Sequence, residues 1–195
     1  MAIQCPVGMR HAEIRDCTAI AQIYVDSWRD TYAGILPTSM LVNLSRTRLV
    51  RHWQWRIAGI QRSKRPYVAV MVIENENGVV VGFGESGPSR DADFGYNAEI
   101  YTLYLDPDHL GAGLGRQLIE GLFVNLSNGG INSAIIWALA DNPHRHFYSS
   151  IGGTLVAERM SSYWGQRLRE MGYGWSDLNK WLTYDDQALS HNKEA

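Results

Sequence analysis

Gly111, Gly113 and Gly115 fall at alternate positions in the segment Leu103 to Phe123, LYLDPDHLGAGLGRQLIEGLF. The apolar run before them reads as a strand. After them Leu114, Leu118, Ile119, Leu122 and Phe123 follow the helical period. Bare amides at a strand-to-helix turn, facing the positive end of a helix, can cradle an anion. Two nucleotide motifs do not fit. A P-loop needs Lys followed by Ser or Thr, and no such pair follows here. A dinucleotide fingerprint spaces its third glycine one residue further and opens the first strand–helix unit, whereas this loop lies past the midpoint of the chain. On the glycines alone, an anion site and a flexible loop without ligand both remain open.

Other residues carry chemistry by type and setting. Glu99 stands in an otherwise apolar strand, Ala98 to Leu105, where a raised pKa would suit a base working near neutral pH. A solvent-facing residue of an alternating strand is the other reading, and Glu85 is a weaker competitor for the role. Tyr148 alone is a helix tyrosine with its ring in the core and its tip on water, and Asn142 is a helix N-cap. His144 and His146 have no carboxylate or thiol at ligand spacing, so they read as surface histidines and no metal is expected. Cys5 and Cys17 give neither a disulfide framework nor a metal-ligand pair, which favours a reducing compartment.

Several segments in order resemble the GCN5-related N-acetyltransferase (GNAT) family. That family's loop reads Gln/Arg-x-x-Gly-x-Gly-Ala/Gly before a helix, and the shared frame here is Asp106-Pro107 followed by Leu110 to Gly115. ADNPHRHFYSSIGG, Ala140 to Gly153, is similar to its Asn-x(4–6)-Phe-Tyr-x(3)-Gly element. AEIYTLYLDP, Ala98 to Pro107, looks like the strand that splays to receive pantetheine, and SWRDTYAGILP, Ser27 to Pro37, resembles a branch with aromatics in its first helix–loop region. The likeness spans roughly Arg10 to Trp181. It implies an α/β fold with a central, mostly antiparallel sheet of six to seven strands, splayed at the acetyl-CoA site and flanked by helices.

The resemblance also implies an acetyl-CoA-dependent N-acetyltransferase acting on a primary amine by direct attack in a ternary complex. Leu110, Gly111, Ala112, Gly113, Leu114, Gly115 and Arg116 would hold the cofactor's pyrophosphate. Backbone groups of Leu103 and Leu105 would meet the acetyl and pantetheine arm, and Asn142 would contact the arm. Tyr148 would be the general acid for the departing thiolate. Glu99 would be the base, acting through water. Trp28 and Tyr32 would line the acceptor pocket. One position departs from the motif: Leu110 replaces the usual Gln or Arg, removing one side-chain hydrogen bond worth about 1 kcal/mol. Weaker CoA binding is expected. A non-catalytic CoA-binding module, or a protein N-terminal or lysine acetyltransferase, remains the alternative to a small-molecule enzyme.

These residues need a frame to hold them, and the rest of the chain supplies its outline. The spacing predicts a strand over His11 to Arg15, a helix capped by Asp16 and interrupted at Gly34 and Pro37, and a helical region from Thr38 to Ile60. That region carries Arg46, Arg48, Arg51 and Arg56, read as a solvated face. Tyr67 to Glu74 and Val79 to Gly87 flank Asn77-Gly78, a hairpin signal. A strand over Ser133 to Leu139, a short helix over Asn142 to Ser150, and a hairpin of Thr154 to Trp164 with Arg167 to Ser176 complete the order. Residues 1–184 read as a single domain, with a loose leader over 1–7 and a disordered tail over 185–195.

Composition bounds the partners. The 195 residues carry 18 Lys+Arg against 20 Asp+Glu, a formal net charge of -2. Such a surface does not favour nucleic acid or an anionic membrane. The longest apolar runs are too short to span a bilayer, and no signal pattern opens the chain, so a cytoplasmic protein is expected. The chain holds 7 Trp and 10 Tyr but only 4 Phe. Tyr163, Trp164, Tyr173 and Trp175 make the final hairpin more aromatic than solvent requires, which suggests a homodimer interface there.

Overall fold

The computed structural model describes residues 6, 8–63, 65–163 and 165–183. Trp164 and the expected tail lie outside them, as does all of the expected leader except residue 6. Among the described residues, seven strands form one sheet: β1 (Met9–His11), β2 (Ala69–Glu74), β3 (Val80–Pro88), β4 (Ala98–Leu105), β5 (Ala134–Leu139), β6 (Thr154–Tyr163) and β7 (Gln166–Trp175). The spatial order is β1-β2-β3-β4-β5-β7-β6. Every neighbouring pair is antiparallel except β4 with β5. The helices are α1 (Cys17–Tyr32), α2 (Thr38–Val42), α3 (Arg46–Arg62), α4 (Leu114–Asn128) and α5 (His146–Ser150).

Two apolar faces follow from strand alternation. On one, Ile100, Ile136 and Tyr173 pack with α4 residues Ile119, Leu122 and Phe123. On the other, Val70, Val72 and Phe83 pack with Ile20 and Ile23 of α1 and with Trp53 and Ile57 of α3. Of the α3 arginines read as a solvated face, Arg48 and Arg51 are exposed and Arg46 reaches Asp26, but Arg56 is half-buried and turns inward to Glu85.

Local departures from the expected elements have local causes. The first strand ends at His11, because the Asp16 carboxylate accepts from the Glu13 amide at 2.7 Å and from Arg10, turning the chain into a 3-10 segment. The helical region after Pro37 breaks between Asn43 and Ser45, and the Ser45 hydroxyl accepts from the Arg48 amide at the start of α3. A last helical segment over 178–183 was not expected; Asp177 accepts from the Lys180 amide at 2.9 Å, and Leu178 and Leu182 are buried one turn apart. The aromatic argument for a dimer interface is corrected by burial. Tyr173 and Trp175 are 2% and 3% exposed within the chain, and Tyr163 turns toward α1.

The feature that positions the site is the parting of β4 from β5. Their parallel pairing covers only Ala98 to Ile100 against Ala134 to Ile136. On the other side of β4 the register against β3 shifts between Glu85 and Ser86, so Tyr101 is an extra residue in β4. Such a bulge bends its strand. Beyond it β4 stays paired with β3 as far as Leu105, leaving the edge toward β5 open.

Candidate active site

A cleft of about 510 Å³ occupies this gap. Its floor is the open edge of β4 and the inner residues of β5, and its walls come from α1, the glycine loop, α5 and the β6–β7 hairpin. The amide of Asp106 donates to the Val81 carbonyl, so strand alternation turns the backbone of Leu103 and Leu105 the other way, toward the cleft. There the Leu105 carbonyl accepts from the Ser27 hydroxyl at 2.6 Å.

At one mouth of the cleft lies the loop before α4. Gly111 and Gly113 have φ of 79° and 78°, a region that favours glycine, and a Cβ at either would meet nothing within 4 Å. Their requirement is conformational, and the space before them is open. Gly115 is glycine for another reason: a Cβ there would stand 3.3 Å from the Phe147 ring. Gly113 is the N-cap of α4, whose first amides have no carbonyl four residues back and aim outward. This cradle fits an anionic diphosphate. Leu110, 46% exposed, and Arg116 line it, whereas Leu114 packs into the cluster of Ile73, Val81 and Leu118. Ala112 and Leu114 are not among the side chains lining the cleft.

Deeper in, phenol and amide groups gather. Tyr148 of α5 lines the cleft and is 9% exposed; burial pushes its hydroxyl well above the ordinary range. Asn142 caps the turn as expected, lines the cleft and bonds Tyr32. Its oxygen accepts from the His144 amide at 2.8 Å, capping the turn, and its amide nitrogen donates to the Tyr32 hydroxyl at 3.1 Å. Trp28 donates to the Tyr104 hydroxyl at 2.9 Å and lies against the rings of Tyr24 and Tyr32. Burial pushes the Tyr104 hydroxyl up to about 12. Trp28 and Tyr32 therefore line the cleft and also form a packed cluster with Leu36, Leu41 and Leu139.

Glu99 is placed differently from its expected role. It is fully buried on β4, below the splay, and is not among the lining residues. Its carboxylate accepts from the Arg90 amide at 3.2 Å and from Arg90 Nε at 3.0 Å, and its other oxygen accepts from the second arm of the same guanidinium. Arg90, which does line the cleft, covers it and stacks over the Tyr101 ring at 4.7 Å. Glu85 is likewise buried and bound to Arg56, away from the cleft. Of the acidic residues near the first helix and the β3–β4 loop, Asp30 lines the cleft.

Sequence spacing missed Arg90, Tyr104, Trp137, Tyr163 and Glu170, all of which line the cleft. One signal was present: Glu170, Gly172 and Gly174 alternate on one face of β7. The glycines make room for rings, since a Cβ on Gly172 would lie 2.8 Å from Trp137 and one on Gly174 would collide with Tyr96.

A model of the acetyltransferase (GNAT) family matches residues 18–152. The chain is 34% identical over 173 residues to YuaI of Bacillus subtilis, an uncharacterized N-acetyltransferase, covering 89% of this chain and 95% of that protein. It is 28% identical over 153 residues to the L-amino acid N-acyltransferase MnaT of Escherichia coli, covering 78% and 82%. Among solved structures, yncA from Salmonella typhimurium with its cofactor acetyl-CoA superposes with a TM-score of 0.62 at 26% identity, covering 88% of this chain and 93% of that one.

Proposed function

Because the chain belongs to the acetyltransferase (GNAT) family and is an acetyl-CoA-dependent N-acetyltransferase, we propose that its acceptor is a small primary amine, acetylated by direct attack within the cleft. The observation that carries this reading is the wall opposite the glycine loop. Trp28, Tyr32, Tyr104 and Tyr163 enclose a space that suits a compact side chain with a few polar groups. The relative that acts on L-amino acids points the same way.

Acetyl-CoA supplies the activated acetyl group as a thioester. The amides of Gly111 to Gly115 would hold its pyrophosphate at the head of α4, with Arg116 beside them. The pantetheine arm would run along the open edge of β4, next to Asn142. The Leu103 amide, unpaired on that side, is a donor for the oxygen of the tetrahedral intermediate.

The amine nitrogen forms the new bond to the carbonyl carbon, and on collapse the carbon–sulfur bond breaks. The departing thiolate takes the proton of the Tyr148 hydroxyl. The proton released by the nitrogen reaches water and returns to the phenolate, so the balance closes. Burial pushes the Tyr148 hydroxyl above its ordinary range, so it carries its proton at neutral pH and can donate it as the thiolate forms. With Glu99 bound to Arg90, water in the cleft is the first proton acceptor, and Glu99 holds Arg90 at the rim.

The test is a thiol-release assay over a panel of L-amino acids, polyamines and peptides. Release requiring both acetyl-CoA and an L-amino acid supports the reading. Turnover confined to peptides would make the chain a protein acetyltransferase. Acetyl-CoA binding without turnover on any amine would leave a CoA-binding module.

A further inference from the structure

One carboxylate in the cleft has no work in the chemistry above. Glu170 lies on β7, on the sheet face that meets α1, and is 2% exposed. Burial would raise its pKa, but hydrogen bonds from Ser161, Tyr163 and Arg159 outweigh that and leave it below the ordinary carboxylate value. It therefore carries a full negative charge at the cleft wall at neutral pH. Its oxygens are divided. One accepts from Arg159 Nε at 2.7 Å and from the Ser161 hydroxyl; the other accepts from the Tyr163 hydroxyl. Arg159 is itself fixed, its guanidinium carbon 3.9 Å from the centre of the Trp137 ring.

This arrangement sets the polarity of the hydroxyls around the acceptor. An ionised carboxylate only accepts, so Tyr163 commits its single proton to Glu170 and its oxygen can offer the cleft only lone pairs. Tyr104 and Tyr32 are set the opposite way. Their oxygens accept from Trp28 and Asn142, so each keeps a proton to donate. One hydroxyl at the acceptor wall thus reads a donor, its oxygen made a stronger acceptor by the ionised Glu170, itself paired with Arg159, directly behind it.

We propose that Tyr163 and Glu170 form the seat of the acceptor's amino group, Tyr163 accepting an N–H bond and Glu170 acting through it as a positioning residue that favours a cationic amine over a neutral isostere. The inference rests on the small-amine reading. The nitrogen, held by one N–H, loses another proton to water and keeps its lone pair for the thioester.

The experiment uses the twenty L-amino acids as acceptors and, as competitor, the 2-hydroxy acid that matches the best of them. In the wild type the hydroxy acid is expected to bind at least about tenfold more weakly than its amino acid. Tyr163→Phe and Glu170→Gln should each raise the KM for the amine by about tenfold and reduce that preference. The KM for acetyl-CoA and kcat should stay within about threefold, and the double variant should be no worse than the weaker single one, as for residues acting as a unit. Glu170→Gln leaves Arg159 facing a neutral group; if its melting curve shows that it does not fold, Tyr163→Phe carries the test, since it removes one oxygen. A folded Tyr163→Phe enzyme with unchanged amine KM and preference overturns the inference while leaving the acetyltransferase reading intact. A wild type that acetylates none of the panel overturns the small-amine reading, and this inference falls with it.

Discussion

In the proposed mechanism, Tyr148 carries the hydroxyl that the chemistry depends on most. Removing that hydroxyl while keeping the ring leaves the core contacts with Phe147 and Tyr173 in place. Tyr148→Phe is therefore expected to lower kcat by about 100-fold, the usual scale for a lost general acid, with the KM for acetyl-CoA within about twofold. Steady-state kinetics checks this, and full turnover in the variant would remove Tyr148 from the mechanism. Glu99 gives the complementary prediction. Because its carboxylate is bound to Arg90, Glu99→Gln should leave the acidic limb of the kcat/KM profile where it is; disappearance of that limb would make Glu99 the base after all. Leu110 is exposed beside the glycine loop, where a cationic side chain could reach a phosphate. Leu110→Arg should tighten CoA binding by a few-fold, about 1 kcal/mol, in calorimetry.

At the scale of elements, the cleft exists because β4 gains one residue at Tyr101 and then stays with β3 while β5 diverges. The glycine loop completes it, and its geometry is sensitive. Gly113 has φ of 78° and open space in front. Gly113→Ala should cost about 1–2 kcal/mol in strain and lower CoA affinity as the turn that aims the amides relaxes; unchanged affinity in calorimetry would detach the loop from phosphate binding. This loop, β4 and α4 were legible in the sequence because their chemistry lies in one contiguous run, where period and turn signals overlap. Tyr148 and Asn142 were legible because they share a short segment with their own spacing. Arg90 was not, since it comes from a polar loop without periodicity, and without it Glu99 looked like an unpartnered acid in an apolar strand. Tyr163 and Glu170 were hidden for a topological reason. They reach the cleft only because β7 inserts between β5 and β6, and no local pattern announces a strand's place in a sheet. The helical region after Pro37 was read as continuous because its apolar spacing runs through a break that depends on one serine cap.

At the scale of the whole molecule, a near-neutral chain buries the carboxylates of Asp16, Glu85, Glu99 and Glu170, each beside an arginine, which gives its stability a definite pH dependence. Burial pushes the Asp16 carboxyl up, but Arg10 and the Glu13 amide more than offset this and hold it below its ordinary value, as the partners of Glu170 do there. A carboxylate with a depressed folded pKa contributes stability that is present above its unfolded value, about 4, and is lost as pH falls through the folded one. Glu85, raised by burial against the pull of Arg56, works in the opposite sense. Two groups against one predict a Tm that holds between pH 7 and about 5 and falls below about 4, with the fall reduced in Asp16→Asn; a Tm that already drops between pH 7 and 6 would contradict this. Among the described residues no helix is long and apolar enough to cross a membrane. The central claim, direct acetyl transfer from acetyl-CoA to a small amine held in one cleft, is tested most directly by an initial-rate matrix with acetyl-CoA and the best L-amino acid varied together. Intersecting double-reciprocal lines, with no thiol released in the absence of the amine, are the predicted result. Parallel lines, or thiol release that does not depend on the amine, would contradict it.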